Sequence, residues 1–465
     1  MSGPDDTEQT VRTLVDLLTQ RAARRGDNLA FTFSRDGDEH ETSQVSYREL
    51  DRRARQIAAD LQSQGAGGKR VLVLCPPGLD FIASFFGCLY AGALAIPVHP
   101  PMREHLLPRV ESIIADVQPG FALTTSEIEP KIKPAIDGLA GGQALRWTIT
   151  DGEATGSEAD WVAPQIDGES IAMLQYTSGS TSAPKGVVLT HGNLVHNLKT
   201  IAEAWNANPD MPYVTGVFWL PPYHDMGLIG GLLGTMYVGG HSILMPPTAF
   251  IKRPMRWLEA ISRHSAMITA APNFSFDLCV ELSTPQERAA LDLSSWKVAL
   301  CGAEPVRTAT LDGFAELFAP SGFRAESFYP VYGLAEGTLL VSGGSDLPVP
   351  MVQHVDRVAL GDNRVIDVPA DDPNVATMVG CGKPRGGQRV IIVNPDTRLE
   401  CPGDRVGEIW VSGGSVAHGY WGAPELSAET FAATLADTGE GPFLRTGDLG
   451  FLCAGEIFTT GRCKD

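Results

Sequence analysis

Over the first 345 residues, short apolar runs ending in turn residues alternate with stretches of helical periodicity. In "SYREL", Ser46 stands three residues before Glu49, the spacing of a capping box, and Leu50, Ala54, Ile57, Ala58 and Leu61 follow at helical intervals. "RVLVLCPP" then reads as a buried strand closed by proline. The rhythm repeats through "GFALTT", "SIAMLQYTSGS", "VTGVFWLPP", "AMITAAP", "KVALCGAEP" and "ESFYPVYG". Between two of these, "HGNLVHNLKTIAEAW" places Leu194, Leu198, Ile201 and Trp205 on one helical face. Such alternation predicts parallel sheets covered by helices, with ligands at the carboxyl ends of the strands.

The longest apolar run, "FIASFFGCLYAGALAI" (Phe81–Ile96), is shorter than the ~20 residues a membrane-spanning helix needs. It reads as a buried helix running into a strand. From residue 346 helical patterns fade, and "RVIIVNPDTRLECPGDRVGEIWVSGGSVAHGYW" gives short strands divided by turn residues. The fold class expected is α/β: two interleaved, doubly wound sheet-and-helix subdomains over 1–345, then a smaller β-rich unit, a distorted barrel, over 346–465. The final strand-like "EIFTT" runs into a charged turn with nothing after it to pack against.

Composition narrows the function. A chain of 465 residues suggests two or three packed units, and 43% hydrophobic with 20% charged residues is ordinary for a globular protein. A net charge of −19 argues against nucleic acid as a main partner, which needs a basic footprint. The eight cysteines form no Cys-x-x-Cys pair, and the acidic N-terminus has no apolar signal segment. Together these read as a cytoplasmic protein without a transmembrane segment.

The candidate chemistry starts at "YTSGSTSAPKGV" (Tyr176–Val187). Glycines and small hydroxyls let backbone N–H groups converge on an anion. It is not a Walker loop, because Pro184 precedes Lys185 and Gly186 follows it. Downstream stand "WLPPYHDMGLIGG" with His224 and Asp225, "CGAEPV" (Cys301–Val306), "YPVYGLAEGT" with Tyr332 and Glu336, and "RTGDLG" with Asp448. Each fragment alone is a plausible turn. Together and in this order they resemble the adenylate-forming superfamily of acyl-CoA synthetases, luciferases and amino-acid adenylation domains, along nearly the whole chain. The absence of a Gly-x-Ser-x-Gly elbow argues against a hydrolase.

The resemblance implies attack of a substrate carboxylate on the α-phosphate of ATP, giving acyl-AMP and pyrophosphate. A carboxylate is already ionised at neutral pH, so no general base is required. By similarity, Thr177, Ser178, Gly179, Ser180, Thr181 and Lys185 cradle the phosphates; Ser182 departs from the family's glycine. Glu336 with Thr177 serves Mg²⁺, a hard ion that prefers oxygen ligands. Tyr332, followed by Gly333, Leu334 and Ala335, lies against adenine; Gly302, Ala303 and Glu304 line its edge. Asp448 and Arg462 hold the ribose, and His224 sits between the α-phosphate and the substrate carboxylate.

"AIPVHPP", "WLPPYHDMGLIGGLLG", "AAPNFSFDLC" and "CGAEPVR" resemble one branch, the fatty acyl-AMP ligases, which pass their product to the phosphopantetheine thiol of an acyl carrier protein. The long connection between Glu336 and Gly382 is similar to that branch's insertion, here about 345–380. The turn after Asp225, "MGLIGGLLGTMYVGG", has no acidic residue to hold a substrate ammonium, which disfavours an amino-acid adenylation domain. Gly230, Gly231, Leu233 and Gly234 admit two readings, walls of a narrow alkyl channel or a tightly packed glycine-rich helix. Asn273, Phe274 and Phe276 are further wall candidates. By resemblance, 461–465 is the family's hinge, and the C-terminal lid domain with its lysine does not belong to this chain. The expectations are therefore a fatty acyl-AMP ligase, weak or inactive in this form. The alternatives are a fatty acyl-CoA ligase and an acyl-AMP-binding module without turnover.

Overall fold

The structure is a computed structural model that describes residues 11–37, 42–152, 156–177, 184–206 and 213–463. Within them, a nine-stranded sheet runs in the order Lys383–Pro384, Leu340–Gly343, Phe328–Gly333, Val298–Cys301, Ile268–Ala271, Thr215–Phe218, His241–Leu244, Leu29–Ser34, Thr42–Ser46. Its inner pairings are parallel and its edges antiparallel. A seven-stranded sheet runs Gly419–Tyr420, Gly186–Thr190, Ile171–Tyr176, Leu94–Pro97, Arg70–Val73, Phe121–Thr124, Arg146–Ile149. The parallel strands are the continuous apolar runs of the sequence, as strands covered on both faces must be.

One core joins the two sheets, containing Phe31 of the first, Val71 of the second and Leu194, Leu198 and Ile201 from the helix His191–Ala204. A second core lies on the other face of the nine-stranded sheet. There Phe276, Trp257, Trp296, Phe314 and Phe328 interlock with ring centroids 5.1–6.3 Å apart. The β-rich unit is a four-stranded antiparallel sheet, Arg389–Val393, Gly407–Ser412, Leu444–Cys453 and Glu456–Arg462. No helix among the described residues is long and apolar enough to cross a membrane.

Three local expectations change. Ser46 caps the helix Tyr47–Ser63 by accepting from the Glu49 N–H, but the Glu49 carboxylate pairs with Arg52 instead of returning to the cap. The division at 345 is not a clean cut, because Lys383–Pro384 and Gly419–Tyr420 rejoin the two large sheets. The last strand does have partners. It pairs with Leu444–Cys453, and Phe458 stacks on Phe451 at 5.0 Å beside Val355. Val355 belongs to a hairpin, Val352–Asp356 with Val375–Val379, that gives the long connection a folded body.

Candidate active site

Several strands from both large sheets end at one cavity of about 620 Å³. Pro97, Val98 and His99 reach it from one sheet together with Gln175, Tyr176 and Thr177; Ala270, Leu300, Ala303 and Val331–Gly333 reach it from the other. This is where a doubly wound fold places its ligands.

The polar end begins where Ile171–Tyr176 leaves its sheet. The Thr177 N–H donates to the Lys185 carbonyl at 3.3 Å, closing the base of the glycine-and-hydroxyl loop. Ser178, Gly179, Ser180, Thr181 and Ser182 lie outside the described residues. Arg109 donates to the carbonyls of Tyr176 and Thr177 at 3.2 and 3.4 Å and faces the cavity, and burial lowers its pKa. Lys185 sets its ammonium 5.1 Å above the Tyr420 ring. The Tyr420 hydroxyl donates to Glu336 Oε1 at 2.7 Å. His224 Nδ1 lies 2.6 Å from Asp225 Oδ1, and that bond raises the imidazole pKa against opposing burial and the charge of Arg109.

The next wall carries Tyr332, whose hydroxyl donates to Asp448 Oδ2 at 2.8 Å, while Arg462 Nε meets Asp448 Oδ1 at 3.0 Å. Burial raises the Asp448 pKa even against these two partners. A side chain at Gly333 would start 1.8 Å from the Leu339 carbonyl oxygen, and one at Gly302 would strike Val331 at 2.6 Å, so close packing requires glycine at both; Gly333 lines the cavity and Gly302 does not. Ala303 holds φ +65, a left-handed backbone uncommon for alanine. Leu334 and Ala335 complete the lining. Glu304 faces elsewhere and accepts from the Phe274 N–H at 2.7 Å.

The cavity also has an apolar lining that includes Ile201, Trp205, Met226, Gly230, Leu339 and Leu340. Met226–Leu233 is a π-helix, a rare geometry that recurs at functional sites. It aims Gly230 at the cavity, where an added Cβ would lie 3.3 Å from Leu339. The other glycine-rich positions follow the packing reading. Gly231 abuts Phe218 and accepts from Thr235 and Ser242, Gly234 abuts Trp205, and Leu233 is buried in the core. The three further wall candidates are also displaced. Phe276 is fully buried in the aromatic core. Asn273 bridges Thr310 and the Arg307 N–H. Phe274 packs edge-on to Trp219 at the surface.

The structure adds residues that sequence reasoning missed. Arg109 lies in "LLPRVES", which has no motif, and Tyr420 in "AHGYWG", which reads as a turn. Gln175, His99 and Tyr223 also line the cavity. Ile201 and Trp205 do carry a signal, but it is the ordinary helical periodicity of a core face.

Comparison with known proteins agrees with this geometry. The family model described as AMP-binding enzyme matches residues 18–421. The medium-chain-fatty-acid–[acyl-carrier-protein] ligase JamA of Moorena producens is 46% identical, over 97% of this chain and 77% of its own length. The long-chain-fatty-acid–AMP ligase FadD32 of Mycolicibacterium smegmatis is 37% identical, over 97% and 74%. The crystal structure of a fatty acyl-adenylate ligase from L. pneumophila in complex with acyl adenylate and pyrophosphate superimposes with a TM-score of 0.92 at 39% identity, covering 100% of this chain and 79% of that one. A cavity with both polar and apolar lining, on this fold and with these relatives, places the chain in the AMP-binding enzyme family, among the fatty acyl-AMP ligases.

Proposed function

We propose that this chain joins a fatty acid to AMP from ATP, releasing pyrophosphate, for transfer to the phosphopantetheine thiol of an acyl carrier protein. One observation carries the reading: a single cavity is lined by Glu336, His224, Thr177 and Arg462 together with the apolar Ile201, Trp205 and Leu340, which we take as its acyl end. An alkyl chain gains ~0.8 kcal/mol per buried CH₂ at that end, while the ionised carboxylate stays among the polar groups.

The chemical demand is to bring two anions together in line. Arg109 supplies positive charge where the carboxylate and α-phosphate must meet, and His224 adds to it when protonated. We assign Lys185, beside the loop's base, to the outer phosphates, as the resemblance implies. Asp448 takes the ribose hydroxyls once Arg462 shares it, and the adenine ring lies beside Tyr332 and Gly333. The donor set suits Mg²⁺, which is commonly held by one or two carboxylates plus substrate phosphates: Glu336 and Thr177 both offer oxygen at the cavity. Bound with the nucleotide, the ion neutralises phosphate charge. The eight free cysteines support a cytoplasmic setting.

The test is fatty-acid-dependent pyrophosphate release, with acyl-AMP identified by mass spectrometry. Release that ignores fatty acid refutes the reading, and efficient acyl-CoA formation moves the chain to the CoA ligases.

A further inference from the structure

Tyr420 is absent from every motif of the sequence, yet it touches two of the groups assigned to the phosphate end. Its hydroxyl donates to Glu336 Oε1 at 2.7 Å, and its ring lies under the Lys185 ammonium. We propose that Tyr420 is a positioning residue that presents Glu336 to the metal of MgATP through one oxygen only; this rests on the reading of Glu336 as the metal-facing carboxylate.

The half-buried side chain is held by its neighbours. Tyr420 is paired across from Val187, directly after the loop, and the next N–H, of Trp421, donates to the Gly186 carbonyl at 2.8 Å. The Tyr420 N–H donates to Ser427 Oγ at 2.9 Å, and Phe431 packs edge-on to its ring at 5.1 Å. The turn that carries Glu336 is tied to the same segment. Its carbonyl accepts from the Ala417 N–H at 2.8 Å, and the Thr338 hydroxyl donates to the Ser415 carbonyl at 2.6 Å. Carboxylate and phenol therefore move as one body.

An ionised carboxylate only accepts hydrogen bonds, so the phenol occupies Oε1 as a donor. Among the described residues no hydrogen bond reaches Oε2. Mg²⁺ demands near-octahedral geometry and keeps several waters, whereas Ca²⁺ readily takes both oxygens of one carboxylate. A phenol on Oε1 thus selects the binding mode that Mg²⁺ prefers. Losing an outer partner of a metal ligand typically costs about 10–100-fold in metal affinity.

The experiment is calorimetric titration of ATP into the chain in Mg²⁺, in Ca²⁺ and in EDTA, for wild type, Tyr420→Phe, Glu336→Gln and the double variant. Tyr420→Phe should weaken MgATP about tenfold, leave metal-free ATP unchanged and narrow the preference for Mg²⁺ over Ca²⁺. Added to Glu336→Gln it should cost nothing more. Equal weakening with and without metal, or wild-type binding of MgATP, overturns the proposal. A wild type whose ATP binding ignores Mg²⁺ overturns the metal reading of Glu336 itself. Thermal melting confirms that each variant is folded.

Discussion

Phe276 gives the sharpest separation between substrate wall and core. The sequence makes it a candidate for the acyl channel; the structure buries it completely, away from the cavity. Its ring centroid lies 5.1 Å from Phe314, 5.2 Å from Phe328, 5.4 Å from Trp257 and 6.3 Å from Trp296. Each aromatic pair in that range adds about 0.5–1.5 kcal/mol beyond area burial. Truncation also forfeits the transfer energy of the ring and leaves a void in a rigid surround. Phe276→Ala should therefore cost about 3–5 kcal/mol, the cost of a large buried side chain reduced to a methyl. Phe276→Leu keeps most of the volume and should cost less, about 1–2 kcal/mol. Urea unfolding with matched unfolding kinetics measures the loss. The dependence of pyrophosphate release on acid chain length, taken on the folded Phe276→Leu protein, should overlay that of the wild type. A shifted chain-length optimum, or a stability loss under ~1 kcal/mol for Phe276→Ala, refutes the assignment to the core.

Gly230→Ala is the counterpart. A methyl group pointing at Leu339 should displace about one methylene of the acyl chain, worth ~0.8 kcal/mol or roughly a fourfold rise in KM for the longest accepted acid, with the melting temperature unchanged or slightly higher. Asp225→Asn removes the main cause of the raised His224 pKa. A raised histidine stabilises the fold below the ordinary value of about 6.5, and that stability is lost as pH rises through the folded pKa. The variant should lose this component, and the alkaline limb of the rate profile should move to lower pH; a coincident limb argues against the ion pair. Asp448 has to be ionised to accept ribose hydroxyls, and its pKa is raised by burial. ATP affinity should fall as pH drops through a range above that of ordinary carboxylates. Asp448→Asn should flatten this dependence and weaken ATP by about 1.5–3 kcal/mol, as a lost hydrogen bond to a charge does.

Much of this molecule was legible in its sequence. Apolar runs closed by proline or glycine became parallel strands because burial on both faces permits little else. The helix His191–Ala204 announced itself by Leu194, Leu198 and Ile201. What periodicity could not separate was core from cavity. Phe276 and Trp205 carry the same apolar signal, yet one fills an aromatic knot and the other faces the site. Only tertiary packing decides between them. The run after Asp225 gave both readings at once, and the π-helix resolved it by turning Gly230 one way and Gly231 and Gly234 the other. Arg109 and Tyr420 were hidden for a different reason. Each works through partners far along the chain, Tyr176 and Thr177 for the first and Glu336 for the second.

The two short strands sent back from the β-rich unit have a consequence for biosynthesis. Gly186–Thr190 is finished long before Gly419–Tyr420 emerges from the ribosome to cover it, and Leu340–Gly343 likewise waits for Lys383–Pro384. Until then each half-built sheet exposes a row of bare amides and carbonyls, the template on which strangers aggregate. A nascent chain stalled near residue 400 should accordingly cling to chaperones, and one released after the last strand, Glu456–Arg462, should let go.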